Sequence, residues 1–291
     1  MVYQPDETLL APEDTKTPRI AVRQNAAGGF VFFNHYQRLR KLDDWKDVVV
    51  ETASVTFPPL AISGEIAFIL PFLFSFCGQT IRYATAQLLC RQGNTLFFAE
   101  VPGIPAEYDV EGDGVLHADA GSVITIDDLQ IVTVTWEEAL YLRKLDHEVY
   151  IGEHCDLYRE DGKITSIGGQ SFAYRKWDGN AWIRREEVRE EQQAVLSEEI
   201  VPEPFAPTYE TELNLGGERK RVWKKLQVSS DRGFVELDEV YDVAQIYADG
   251  VLVADNFYAG EPWRIPAKLI FQKEAYLAAS EIRDDFYREF S

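Results

Sequence analysis

A chain of 291 residues that is 46% apolar and 13% aromatic has enough core-forming side chains for one large or two ordinary domains, which excludes global disorder. Its formal net charge of −20 excludes nucleic acid and anionic membrane surfaces as partners, because both demand a basic face. Three cysteines, Cys77, Cys90 and Cys155, form no disulfide framework or C-x-x-C pair, so neither a structural metal nor a redox site is expected.

Residues 1–18 read as a linker or a truncated end, with no basic start or apolar core of a signal peptide over 1–19. The compartment stays open. β-prone segments then follow closely: Ile20 to Asn25, a Gly28-Gly29 turn, Phe30 to Tyr36, Val48 to Phe57, Glu65 to Phe76, a Cys77-Gly78 turn, Thr80 to Cys90, a Gly93-Asn94 turn and Thr95 to Glu100. Ile66 to Phe76 is the most hydrophobic run, too short for a bilayer and broken by Pro71, hence a buried strand. Ser122 to Thr135 adds a hairpin around Asp127-Asp128. Glu137 to Lys144 reads as a short helix capped by Thr135.

From His147 the strand pattern resumes, with turns at Glu160-Asp161-Gly162-Lys163 and Asp178-Gly179-Asn180. Residues 187–207 form an acidic, proline-containing crossover, within which a short helix would fit. Strands are then expected near Tyr209 to Leu215, Val222 to Val228 and Gly233 to Val240. Ala244 to Tyr247 and Val251 to Ala254 flank Asp249-Gly250, a pair that accepts the positive φ angles of a tight hairpin. Ala275 to Ile282 suits either a helix by composition or a closing strand by position. The pattern predicts an all-β protein: two β-sandwich or jelly-roll modules with one or two short helices. The first module is expected over 19–143 and the second over 144–291.

Several stretches resemble the non-catalytic C-terminal region of bacterial β-galactosidases of glycoside hydrolase family 35. Gly29 to Val48 (GFVFFNHYQRLRKLDDWKDV) is similar to the region just after the family's catalytic barrel, as are Phe68 to Phe74, Ile81 to Leu89 and Phe97 to Tyr108. Val240 to Trp263 resembles the terminal jelly-roll hairpin, with its DVA-x-x-Y-x-DG-x-LVADNFY-x-G-x-PW run. The likeness covers most of 19–118 and 144–290. It implies a galactose-binding-domain-like C-terminal module and a (β/α)8 barrel as partner, the barrel carrying two catalytic glutamates. No succession of βα units here builds such a barrel, so no catalytic residue and no cofactor are assigned. The expected function is that of an accessory region which supports or completes a glycosidase active site. The alternatives are a stand-alone carbohydrate-binding protein, taking a galactoside or oligosaccharide, and a β-sandwich carbohydrate-active enzyme.

Two groups are candidate sites. Asn256, Phe257, Tyr258 and Trp263 suit a sugar platform, rings for a pyranose face and polar tips for hydroxyls, or else a plug closing the jelly roll. Asn34, Tyr36 and Arg38 suit an inter-domain contact at a strand end, or side chains tied to loop backbone. The family pattern has a second Asn where this chain has His35. Asp109 to Gly114 carries alternate carboxylates but lacks the spaced Glu of a calcium loop, which favours a hairpin turn. His147, His154, Cys155 and Asp156 have the spacing of neither a helical pair nor a zinc finger.

Overall fold

The computed structural model describes residues 2–3, 10–11, 13–37, 40–167, 171–188, 194–205, 221–257 and 260–280. The protein is all-β: antiparallel sheets dominate, beside one short α-helix and one 3-10 turn among the described residues. In chain order the strands are β1 Val2–Tyr3, β2 Ile20–Asn25, β3 Gly28–His35, β4 Trp45–Val50, β5 Leu60–Ile62, β6 Ile66–Phe76, β7 Gln79–Ala84, β8 Gln87–Gln92 and β9 Thr95–Ala99. There follow β10 Ala106–Val110, β11 Gly114–Ala118, β12 Val123–Ile126, β13 Leu129–Val134, helix α1 Trp136–Leu140, β14 Leu142–Leu145, β15 Glu148–Gly152, β16 Leu157–Glu160, β17 Lys163–Ser166, β18 Ser171–Trp177 and β19 Trp182–Val188. The remainder are β20 Leu196–Val201, β21 Arg221–Val228, β22 Phe234–Leu237, β23 Val243–Ala248, β24 Val251–Phe257, β25 Trp263–Pro266 and β26 Ala275–Ser280.

The chain divides into two compact units, Met1–Leu157 with Ala173–Glu186, and Tyr158–Phe172 with Glu187–Ser291. In the first unit a six-stranded sheet, β11-β10-β7-β6-β3-β2, uses its inner face twice. Val31, Phe33, Phe68, Leu70 and Phe72 pack against Trp45, Val48, Val50, Leu60 and Ile62 of the sheet containing β4 and β5. At the other end Ile81, Tyr108 and Val110 pack against Leu96, Phe98, Leu129 and Ile131 of the four-stranded sheet β12-β13-β9-β8. That sheet is covered on its second face too, where Phe97, Ala99, Val132 and Val134 meet Leu142, Val149, Ile151 and Trp177. All five residues of β9 are therefore buried, as befits a strand covered on both faces and paired in parallel with β13.

This layer corrects the expected boundary after residue 143. Because β14, β15, β18 and β19 form one sheet whose apolar face closes over Phe97 and Val132, the first unit runs on to Leu157 and regains Ala173–Glu186.

In the second unit a five-stranded sheet, β20-β21-β26-β23-β24, packs Leu226, Ala244, Ile246 and Leu277 against Val235, Leu237 and Ile265 of the β22-β25 ribbon. The segment Tyr158–Phe172 belongs here. The Tyr158 ring meets Phe234 edge-on, and Glu160 accepts the Gly233 N–H at 2.9 Å. Trp223, Tyr247 and Ala278 form a second core with Phe205, on the other face of the five-stranded sheet.

Several elements differ from expectation for local reasons. The β2–β3 turn falls on Ala26-Ala27, and Gly28 and Gly29 lie inside β3. There a Cβ on Gly28 would stand 2.5 Å from the Leu73 carbonyl oxygen, and one on Gly29 would stand 2.4 Å from Phe72 Cζ. The run Thr80 to Cys90 is two strands, β7 and β8, in different sheets. Helix α1 has the Thr135–Glu138 capping box but stops at Leu140, because Leu142 enters β14. The 187–207 crossover contains strand β20. Ala275–Ser280 is a central strand between β21 and β23. Tyr209 to Leu215 lies outside the described residues.

Candidate functional site

Strand β3 alternates strictly: Val31, Phe33 and His35 point into the core, while Phe30, Phe32 and Asn34 face out. Phe32 lies opposite Ile69 of β6, and both are more than one third exposed, at 37% and 36%. Phe30 (41%) and the following Tyr36 (48%) are also exposed. The outer side of this sheet thus carries Phe30, Phe32 and Ile69 as neighbouring exposed apolar groups, with Asn34 between Phe32 and Tyr36, the kind of patch that another surface covers.

The end of β3 is tied down by its own polar groups. Buried His35 directs Nε2 at the Asp43 carbonyl, 2.9 Å away, and Nδ1 at the Gly64 carbonyl. Its ring also stands edge-on to Trp45, centroids 4.4 Å apart. A carboxamide in its place would have to present its amide nitrogen to both carbonyls, so the histidine fits a gap that spans two loops. Asn34 Oδ1 accepts the Tyr36 N–H at 3.1 Å. Asn34 and Tyr36 remain accessible for a contact; Arg38 lies outside the described residues.

In the second unit, β24 and β25 bring Asn256 and Trp263 around Tyr241. Asn256 Nδ2 donates to the Tyr241 hydroxyl at 2.8 Å, and the Trp263 ring stands edge-on to the Tyr241 ring at 6.4 Å. Tyr241 is buried and Trp263 packs on the core below. Phe257 instead is 70% exposed at the end of edge strand β24. Asn256 and Phe257 are successive residues of β24 and point to opposite faces of the strand, so Phe257 does not share the face that carries Asn256 to Tyr241. Tyr258 lies outside the described residues. Trp263→Ala is expected to lower the stability of this unit by about 2–3 kcal/mol, whereas Phe257→Ala stays within about 0.5 kcal/mol. Urea denaturation of both variants checks this.

The remaining titratable groups are engaged in different places. Cys155 Sγ lies 3.7 Å from the Ala173 carbonyl, and burial pushes its thiol up. His154 faces Glu137, and Asp156 pairs with Arg143, so the imagined ligand group is dispersed. The Asp109 to Gly114 stretch is the β10–β11 hairpin, with Asp109 3.4 Å from Arg82. Glu138 loses solvent on burial, which by itself pushes its carboxyl up. The Arg175 guanidinium at 2.6 Å and the Thr135 N–H outweigh this and hold it below the usual glutamate range. Glu198 and Glu239 both pair with Lys224, the first at 2.7 Å. Partial burial opposes the Lys224 charge, but the two carboxylates outweigh it and raise the ammonium above its ordinary value. Among the described residues no group of three or more His, Cys, Asp or Glu could hold a metal ion.

The outward row of Phe30, Phe32 and Ile69 was not singled out by sequence reasoning. Its signal was there, since GFVFF places aromatic residues on both parities of one strand, so that one parity has to face out. No protein-family profile matches the chain. No curated protein matches it significantly either.

Proposed function

We propose that this chain is a non-catalytic accessory β region of a β-galactosidase-like glycoside hydrolase, and that it supports or completes the active site of a (β/α)8 barrel. The observation that carries the reading is the apolar outer face of β3 and β6. Phe32 and Ile69 sit opposite one another there, exposed, with Tyr36 just beyond. They lie in or beside the stretches whose sequence resembles the segment that follows the barrel in family 35. A hydrophobic row of this kind gains by being covered, at roughly 25 cal/mol for each Å² of apolar surface removed from water.

The test is to mix the purified chain with the isolated catalytic barrel of a family 35 β-galactosidase and run size-exclusion chromatography at micromolar concentration. A complex is expected, and Phe32→Glu should weaken it at least tenfold, because docking would strip water from an unpaired carboxylate. Absence of any complex, or a complex indifferent to Phe32→Glu, would overturn the docking face.

A further inference from the structure

At the β2–β3 hairpin the outer face of the six-stranded sheet ends in a cleft of about 430 Å³. That volume lies in the range of small-molecule sites. Its apolar wall is Phe30, Phe74 and Leu88, and its polar side is Arg23, Gln24 and Asn25. The register explains the juxtaposition. Arg23 lies directly opposite Phe30, and Asn25 opposite Gly28, so Arg23, Asn25 and Phe30 share one face. Phe74 lines the cleft from the part of β6 just past Leu73, which has a φ of +49° and stands where pairing with β3 ends. Leu88 comes from β8 of the neighbouring sheet. Gly28, with a φ of +131° and no room for a Cβ, leaves bare backbone in the lining.

The electrostatics choose among ligands. Acidic residues outnumber basic ones 49 to 29, yet the single charged side chain lining this cleft is a cation. Among the described residues Arg23 makes no ion pair and Gln24 makes no side-chain hydrogen bond. Asn25 spends Oδ1 on the Ala27 N–H, at 2.8 Å, and keeps its amide hydrogens for other acceptors. An aromatic wall beside a guanidinium fork and a carboxamide is complementary to a ring with an apolar face, hydroxyls at its edge and one carboxylate.

We propose that this cleft binds a hydroxylated ring carboxylate of the uronic acid class. The ring lies on Phe30, its carboxylate meets Arg23, and a hydroxyl meets Asn25. This does not rest on barrel docking, since it concerns the chain alone.

Titration calorimetry of the full chain with D-galacturonate, D-glucuronate, D-galactose and benzoate tests it. At least one uronate is expected to bind saturably at millimolar concentration, at least tenfold tighter than galactose or benzoate, and more weakly as salt is raised. Arg23→Gln should weaken uronate binding at least tenfold and bring it down to the galactose level. Phe30→Ala should weaken uronate and galactose alike. Both side chains are exposed, so the variants should keep the wild-type tryptophan fluorescence and urea midpoint. No saturable uronate binding, equal binding of galactose, equal binding of benzoate, or uronate binding unchanged in Arg23→Gln would each overturn the proposal.

Discussion

Replacing Gly152 by alanine is expected to destabilise the first unit by about 3 kcal/mol or more. Gly152 is buried in the last position of β15, and a Cβ there would stand 2.0 Å from the carbonyl oxygen of Cys155. The obstacle is backbone, so no rotamer change relieves it. The Cys155 side chain offers no slack either, with Sγ 3.1 Å from the same point. Overpacking in a closed core costs about 1–3 kcal/mol, and more where the backbone itself has to shift. For a unit of this size that corresponds to a fall in Tm of roughly 6–12 °C. Differential scanning calorimetry of Gly152→Ala measures it, and a change under about 0.5 kcal/mol would show that the Glu153-His154-Cys155 turn is not held as described.

The second large effect is at Gly29, and it comes with a rescue. An alanine Cβ would lie 2.4 Å from Cζ and 2.6 Å from Cε1 of Phe72, and 2.9 Å from the Arg23 carbonyl oxygen. The Phe72 ring is fully buried and stands edge-on to Phe57 at 6.1 Å, so it has nowhere to retreat. Gly29→Ala is expected to cost about 2–3 kcal/mol. Phe72→Leu shortens the obstructing side chain at a cost of its own, about 1–2 kcal/mol for the space it leaves. The double variant should be more stable than the two single costs predict by about 1 kcal/mol or more, the coupling of residues in direct contact. Strict additivity in urea denaturation would contradict the close approach of β3 to β6 on which both the apolar row and the cleft depend.

The sequence made legible what is decided within a few residues. Asp249-Gly250 turns the β23–β24 hairpin with φ angles of +52° and +77°, as its chemistry predicts. Cys77-Gly78 does the same between β6 and β7, and Thr135 caps α1. What escaped is decided by partners far along the chain. Gly28-Gly29 looks like a turn until Phe72 and Leu73 are placed against it. Thr80 to Cys90 reads as one strand, since nothing local says that the chain changes sheets near Thr85, whose hydroxyl donates to the Pro105 carbonyl at 2.6 Å. The first unit's extent was hidden for the same reason. Leu142, Val149 and Ile151 of β14 and β15, with Trp177 of β18, make that sheet part of it, and Trp177 packs edge-on to Phe97, centroids 5.7 Å apart and distant from it in sequence.

The candidate sites follow that division. Asn256 and Trp263 were recognisable as an aromatic turn, yet only the fold ties them to Tyr241 and sends Phe257 elsewhere. The cleft was invisible in one dimension, because Arg23 earns its meaning from standing opposite Phe30.

The most direct measurement is turnover of a chromogenic β-galactoside by the purified chain, alone and mixed with an isolated family 35 barrel. An accessory region predicts no turnover by the chain alone and a rise in the barrel's activity on mixing. Robust turnover by the chain alone, abolished by one carboxylate substitution, would contradict it.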